Sequence, residues 1–132
     1  MDNLVVWADI PVTDLARAMK FYEAVLRRPF AVMPGGGDVA VPAPDQPPGD
    51  GPPEGQMPVA FDLAVMPGTR PSQDGCRIYL DGGADPAAML QRAADAGGEI
   101  LQPMQDMGEM VGWIGFFKDS EGNRIGVHRP PA

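Results

Sequence analysis

Val5-Val6-Trp7-Ala8-Asp9-Ile10-Pro11-Val12-Thr13-Asp14-Leu15 is an apolar run that passes through a proline into polar, helix-starting residues. Its β-branched and aromatic content predicts a buried strand over residues 3–10. Alternation puts Val5, Trp7 and Asp9 on one face and Val6, Ala8 and Ile10 on the other. An acid at the end of a strand has to meet solvent or a polar pocket, so the Ile10 face is the one expected to lie against a helix. That helix follows directly. Thr13 or Asp14 can accept a hydrogen bond from a free N–H of the first turn. Leu15, Ala18, Met19, Tyr22, Val25 and Leu26 then recur at three- and four-residue spacing, the stripe of a core-facing helix. Arg17, Lys20, Glu23 and Arg27 fall on the wet side, and Pro29 stops the helix.

A degenerate copy of this pattern returns 70 residues later. Cys76-Arg77-Ile78-Tyr79-Leu80 is strand-like, and Ala84-Asp85-Pro86 opens a second helix, with Asp85 as cap and Pro86 where a missing N–H costs nothing. Met89, Leu90, Ala93 and Ala94 supply its buried stripe, and Gly97-Gly98 ends it. At this offset Trp7 pairs with Arg77, Asp14 with Ala84, Ala18-Met19 with Ala88-Met89 and Ala24 with Ala94. Three strands are expected after each helix: Phe30–Met33, Val39–Val41 (around a Pro34–Gly37 turn) and Pro58–Val65 in the first half; Glu99–Pro103, Val111–Phe117 and Asn123–His128 in the second. Asp119-Ser120-Glu121-Gly122-Asn123 is the turn between the last two. The order is β-α-β-β-β twice, an α+β chain forming one domain over residues 1–132. Module one takes residues 1–70 and module two residues 71–132.

Composition narrows the function. A chain of 132 residues, 44% apolar and 21% charged, can bury one real core. Its 17 glycines and 16 prolines concentrate in residues 34–56, and residues 42–56 read as one long irregular loop, a solvated connection or a lid. A net charge of −8 argues against nucleic acid, which needs clustered Lys and Arg, and is compatible with a cationic ligand. One cysteine excludes an internal disulfide and a cysteine-based zinc cluster. No apolar run reaches the roughly 20 residues that span a bilayer, and with no signal-like N-terminus the expected location is the cytoplasm.

Three stretches together resemble the vicinal oxygen chelate superfamily, which includes glyoxalase I, extradiol dioxygenases and bleomycin-resistance proteins. They are Ile10-Pro11-Val12-Thr13-Asp14-Leu15 with Phe21-Tyr22 and Val25-Leu26, then Ala94-Asp95-Ala96-Gly97-Gly98, and then Phe116-Phe117-Lys118-Asp119-Ser120-Glu121-Gly122-Asn123-Arg124-Ile125. Within it the chain is most similar to single-domain glyoxalase-related proteins. The resemblance implies two βαβββ modules in a curled mixed sheet around a concave cleft, with helices outside, and a homodimer. It also implies metal positions: a His on the first strand of each module and an acid on the fourth. Here Trp7 and Arg77 stand where the two histidines are usual, and Gly126 stands where the last acid is usual. Asp62 lies near the remaining position. Neither an indole nor a glycine coordinates a divalent ion, and a guanidinium has no lone pair to donate. The usual metal site, and the Lewis-acid chemistry it serves, are therefore expected to be absent, with no other cofactor implied.

In this fold Trp7, Asp9 and Arg77 are expected to point into the cleft. Arg77 either pairs with Asp9 or receives a ligand carboxylate or phosphate. Trp7 offers a stacking face or fills core. Trp113, with Met104, Met107 and Met110 before it, is expected either to wall the same cavity or to serve core and dimer contacts. Cys76 is expected to turn toward the helix as a buried thiol, and His128 to be peripheral. The leading reading is a metal-independent small-molecule binder lined by Trp7, Asp9, Arg77 and Trp113, one version being sequestration of a cationic antibiotic. The alternative is a lyase or isomerase on a small oxoacid, with Asp9 as base and Arg77 holding the anion.

Overall fold

The structure is a computed structural model, and it describes residues 4–33, 38–43 and 60–131. The Pro34–Gly37 turn and most of the irregular loop, residues 44–56, lie outside the described residues. The elements are β1 (Ala8–Pro11), α1 (Leu15–Leu26), β2 (Phe30–Val32), β3 (Val39–Pro42), β4 (Phe61–Ala64), β5 (Tyr79–Asp81), α2 (Pro86–Asp95), β6 (Glu99–Asp106), β7 (Trp113–Lys118) and β8 (Arg124–Arg129). The β-α-β-β-β order thus occurs twice. Each module forms a four-stranded mixed sheet, β1-β4-β3-β2 and β5-β8-β7-β6. The first strand of each module pairs in parallel with the fourth, and the other pairs are antiparallel.

The local signals explain the elements. Asp14 caps α1, its Oδ1 accepting the Arg17 N–H at 3.0 Å, and Asp85 caps α2 in the same way through the Ala88 N–H at 3.2 Å. The equivalent of Asp14 is therefore Asp85 rather than Ala84, because the second module has one more residue between strand and helix. Helix α2 ends where Gly97 takes φ +107° and Gly98 donates to the Ala93 carbonyl at 2.9 Å. Arg27 ends α1 in the left-handed region at φ 54°. Strand β6 runs past Pro103 to Asp106 because its register with β7 shifts between Gln102 and Gln105, where a proline lacking an N–H is accommodated. The opening strand is shorter than its composition suggests. Only Ala8–Pro11 is paired, and Leu4, Val5 and Val6 are 90%, 78% and 53% exposed.

One apolar core spans both modules. Ile10 and Leu63 from the first sheet and Leu80, Val127, Ile125 and Phe117 from the second pack against buried Ala18, Tyr22, Val25, Met89 and Leu90 of the helices. Phe21 of α1 meets Phe117 of β7 with ring centroids 5.9 Å apart, and Arg92 of α2 donates to the Val25 carbonyl at 2.9 Å. The turn between β7 and β8 fastens the modules. Buried Asp119 accepts the Tyr22 hydroxyl at 2.6 Å, and Asn123 donates to the Pro11 carbonyl at 2.7 Å. Glu121 accepts the N–H groups of Thr13 and Asp14, each at 3.0 Å, and pairs with Arg17 at 2.6 Å. Burial alone would raise its pKa, but Arg17, these two N–H groups and the Ser120 hydroxyl outweigh burial and hold it at about 2. No described helix is long and apolar enough to cross a membrane.

Candidate functional site

Register decides which side chains leave the core. In β1 and β4, Ile10 faces Leu63 on the helix side, so the neighbouring register pair Asp9 and Asp62 falls on the opposite face. In β5 and β8 the helix-side pair is Leu80 and Val127, and the opposite face carries Tyr79 and Gly126. Asp9 therefore corresponds to Tyr79, Asp62 to Gly126 and Trp7 to Arg77.

The first module gathers Trp7, Asp9 and Asp62. The Trp7 indole Nε1 donates to Asp62 Oδ2 at 3.2 Å. Asp62 is only 6% exposed, and its Oδ1 is buried with no hydrogen-bond donor. Burial first, then the Asp9 carboxylate, which accepts a hydrogen bond from protonated Asp62 and repels its anion, push the Asp62 carboxyl up to about 6, against the pull of the Trp7 donor. Below about pH 6 this carboxyl presents an O–H, which suits a neighbour that can only accept.

The second module fills its equivalent positions differently. Phe116 is buried on the same face, with the Tyr79 ring edge-on at 5.8 Å. The guanidiniums of Arg77 and Arg124 lie 5.4 and 4.5 Å from the centre of its ring. A Cβ on Gly126 would come 2.3 Å from the Tyr79 ring, so the aromatic ring occupies the space a side chain at 126 would need. Between the modules lies an open cavity of about 120 Å³ lined by Asp9, Arg70, Ser72, Asp74, Cys76 and Arg124, among others. The segment after β4 forms one wall. Ser72 takes a hydrogen bond from the Arg124 N–H at 3.4 Å and donates its own N–H to Asn123 at 3.0 Å.

The sequence-derived candidates separate. Trp7 and Asp9 lie on the face opposite the helices, and Asp9 reaches the cavity. Arg77 is exposed and rests on Phe116, and among the described residues no ion pair joins it to Asp9. Trp113 lies elsewhere. It shares a face of β7 with Gly115 and buried Phe117, where Leu90 of α2 packs, and it lines a separate groove with Asp106, Glu109 and Pro131. Met107 and Met110 are exposed in the loop before it, and Met104 packs against the core. Cys76 is exposed and lines the cavity, contrary to the expected buried thiol, because pairing begins at Tyr79 and strand alternation does not extend back to it. His128 lies 2.6 Å from the Val111 carbonyl, away from the cavity lining. Arg70, Asp74 and Arg124 were missed by sequence reasoning. Arg124 stood in the quoted Gly122-Asn123-Arg124-Ile125 stretch, whereas Arg70 and Asp74 lay in a segment with no periodic signal.

The residues at the four implied metal positions are Trp7, Arg77, Asp62 and Gly126, of which only Asp62 can coordinate. No group of three or more His, Cys, Asp or Glu side chains able to hold a metal ion occurs among the described residues. This set does not fit the implied ion.

A model of the Glyoxalase/Bleomycin resistance protein/Dioxygenase superfamily matches residues 4–127. Among solved structures, the chain is similar to a glyoxalase-related enzyme from Fulvimarina pelagi (12% identity, 97% of this chain and 88% of that one, TM-score 0.67). It is also similar to a glyoxalase/bleomycin resistance protein from Albidiferax ferrireducens T118 (17% identity, 92% and 95%, TM-score 0.65). A hypothetical protein from S. aureus aligns with 17% identity over 92% of this chain and 93% of that one, at TM-score 0.63. Identities this low speak for the fold. No curated protein matches.

Proposed function

The chain belongs to the glyoxalase/bleomycin resistance protein/dioxygenase superfamily, and from that premise we propose that it binds a small organic molecule between its modules without the divalent ion usual there. The observation behind this reading is the replacement of ligands at matched positions: an indole at 7, a guanidinium at 77, and at 126 a glycine overlaid by the Tyr79 ring. The cavity of about 120 Å³ suits a small metabolite. A drug-sized ligand asks for roughly 300 Å³ or more, which disfavours the antibiotic version. The test is metal analysis with thermal melts. Purified protein is expected to carry no stoichiometric divalent metal and to melt unchanged in chelator, whereas a small ligand raises the melting temperature. A tightly held ion whose removal lowers that temperature would overturn the reading.

A second reading, metal-independent proton transfer on a small oxoacid as in a lyase or isomerase, draws on the Asp9–Asp62 pair. One carboxyl there is held near neutrality beside an exposed acid that reaches the cavity. Arg124 lines that cavity and Arg77 does not, so the anion-holding role would pass to Arg124. Turnover that survives Asp9→Asn would eliminate this arrangement. The family resemblance also carries the proposal of a homodimer.

A further inference from the structure

Two arginines, Arg70 and Arg124, and two aspartates, Asp9 and Asp74, are among the residues that line the cavity. The chain has a net charge of −8 and few cations to place. Even so, no ion pair joins these four groups, and the pairs among the described residues lie elsewhere, at Arg17–Glu121 and Lys118–Glu99. Arg124 is the best anchored of the four. Its peptide N–H reaches the Ser72 carbonyl and its guanidinium lies 4.5 Å from the Phe116 ring centre, yet its Nε is buried without an acceptor. A buried donor left unpaired is costly, the more so when charged, unless an acceptor arrives from outside. The flat fork of a guanidinium held on an aromatic ring is matched by the two oxygens of a carboxylate. The acids in the same cavity act the other way, repelling a second negative charge and attracting a positive one.

Resting on the cleft-binding reading above, we propose that the ligand is a small amino acid, its carboxylate on Arg124 with Arg70 beside it and its ammonium toward Asp9 and Asp74. Charges of both signs that are not joined in ion pairs complement a zwitterion better than any singly charged or neutral molecule of equal size. The cavity of about 120 Å³ has room for an amino acid with a short side chain.

The experiment is a titration of the full ¹⁵N-labelled chain with L-alanine, propionate, propylamine and propionamide, molecules of similar size and different charge. Alanine is expected to shift the amide signals of Ser72, Asp74 and Arg124 saturably, and the other three to bind at least about tenfold more weakly, a loss of about 1.4 kcal/mol. Arg124→Met, which keeps the side-chain length and apolar contact with Phe116, is expected to weaken alanine by a similar factor. Propionate or propionamide binding as tightly as alanine, or Arg124→Met binding alanine normally, overturns the amino-acid assignment and leaves cleft binding standing. If none of the four moves a cleft amide, native mass spectrometry of the protein as purified decides. A retained amino acid upholds the proposal, and a retained molecule of other charge overturns it alone. Protein free of any small molecule overturns it together with the binding reading.

Discussion

Asp62 is destabilised as an anion on three sides: little solvent reaches it, the Asp9 carboxylate is its register partner, and only the Trp7 indole donates to it. Its carboxyl therefore titrates near 6 when folded against an ordinary 3.8. A raised acid favours the folded state below the unfolded value, and that contribution fades as pH rises through 6. We expect the wild-type melting temperature to fall between pH 4 and pH 7 by an amount worth on the order of 2 kcal/mol. Asp62→Asn should flatten that slope, and an unchanged slope would show the carboxyl to be ordinary. Gly126 gives a second case. An alanine there would place its Cβ 2.3 Å from the Tyr79 ring, and Tyr79 is 47% exposed, so the ring can swing outward. Gly126→Ala should cost only about 1 kcal/mol in a denaturant melt while exposing Tyr79 to quenchers; a much larger loss would mean the ring is fixed. The face of Asp9 was legible because alternation holds through a paired strand, and Trp7, one residue before the pairing starts, is kept on that face by its bond to Asp62. Cys76 was misjudged because the same alternation was carried past the end of one. Arg124 was visible only as part of a turn signature, since nothing local shows which guanidinium will lack an acceptor.

At the scale of elements, α1 is held at its first turn by two acids, one adjacent to it and one from a distant part of the chain. Asp14 caps it locally, and Glu121, delivered by the turn after β7, takes the Thr13 and Asp14 N–H groups and Arg17. A carboxylate at a helix N-terminus is favoured both by free N–H groups and by the helix dipole. With its folded pKa near 2 against 4.5 unfolded, Glu121 stabilises the fold fully above pH 4.5 and loses that effect as pH falls toward 2. Glu121→Ala should lose about 2–3 kcal/mol at pH 7 and progressively less in acid; equal destabilisation at pH 7 and near pH 2 would contradict the ionic role. The helices and their caps were legible because a cap and its stripe lie within a few residues of each other. The function of Glu121 was not, because its partners stand more than a hundred residues away in sequence. Strand ends were likewise hidden. Leu4-Val5-Val6 has every local mark of a buried strand, but pairing is a property of what lies alongside, and β4 accompanies only Ala8–Pro11.

On the scale of the whole molecule, that same segment is an exposed apolar lead-in to an edge strand. β1 closes one side of the first sheet and β5 one side of the second, so each has an unpaired edge among the described residues. Exposed edges with apolar side chains recruit another strand unless something covers or charges them. Leu4, Val5 and Val6 carry no charge and stand more than half exposed. Under the proposed homodimer, a second copy covers them, and apolar burial of these three side chains at about 25 cal/mol per Å² is the main gain. Sedimentation of the wild-type chain should then give a dimer, and Val5→Asp with Val6→Lys should give a monomer. Both residues are surface positions in the single chain, so the variant's far-ultraviolet dichroism should be unchanged. If the wild-type chain is a monomer, or the doubly charged variant still a dimer, the interface does not run through this segment. The outcome also bears on the cleft, because β1 delivers Asp9 to it: a second strand against β1 would hold Trp7 and Asp9 in place and narrow the approach to Arg124. The monomeric variant is therefore expected to bind its ligand more weakly, with Arg124 itself untouched.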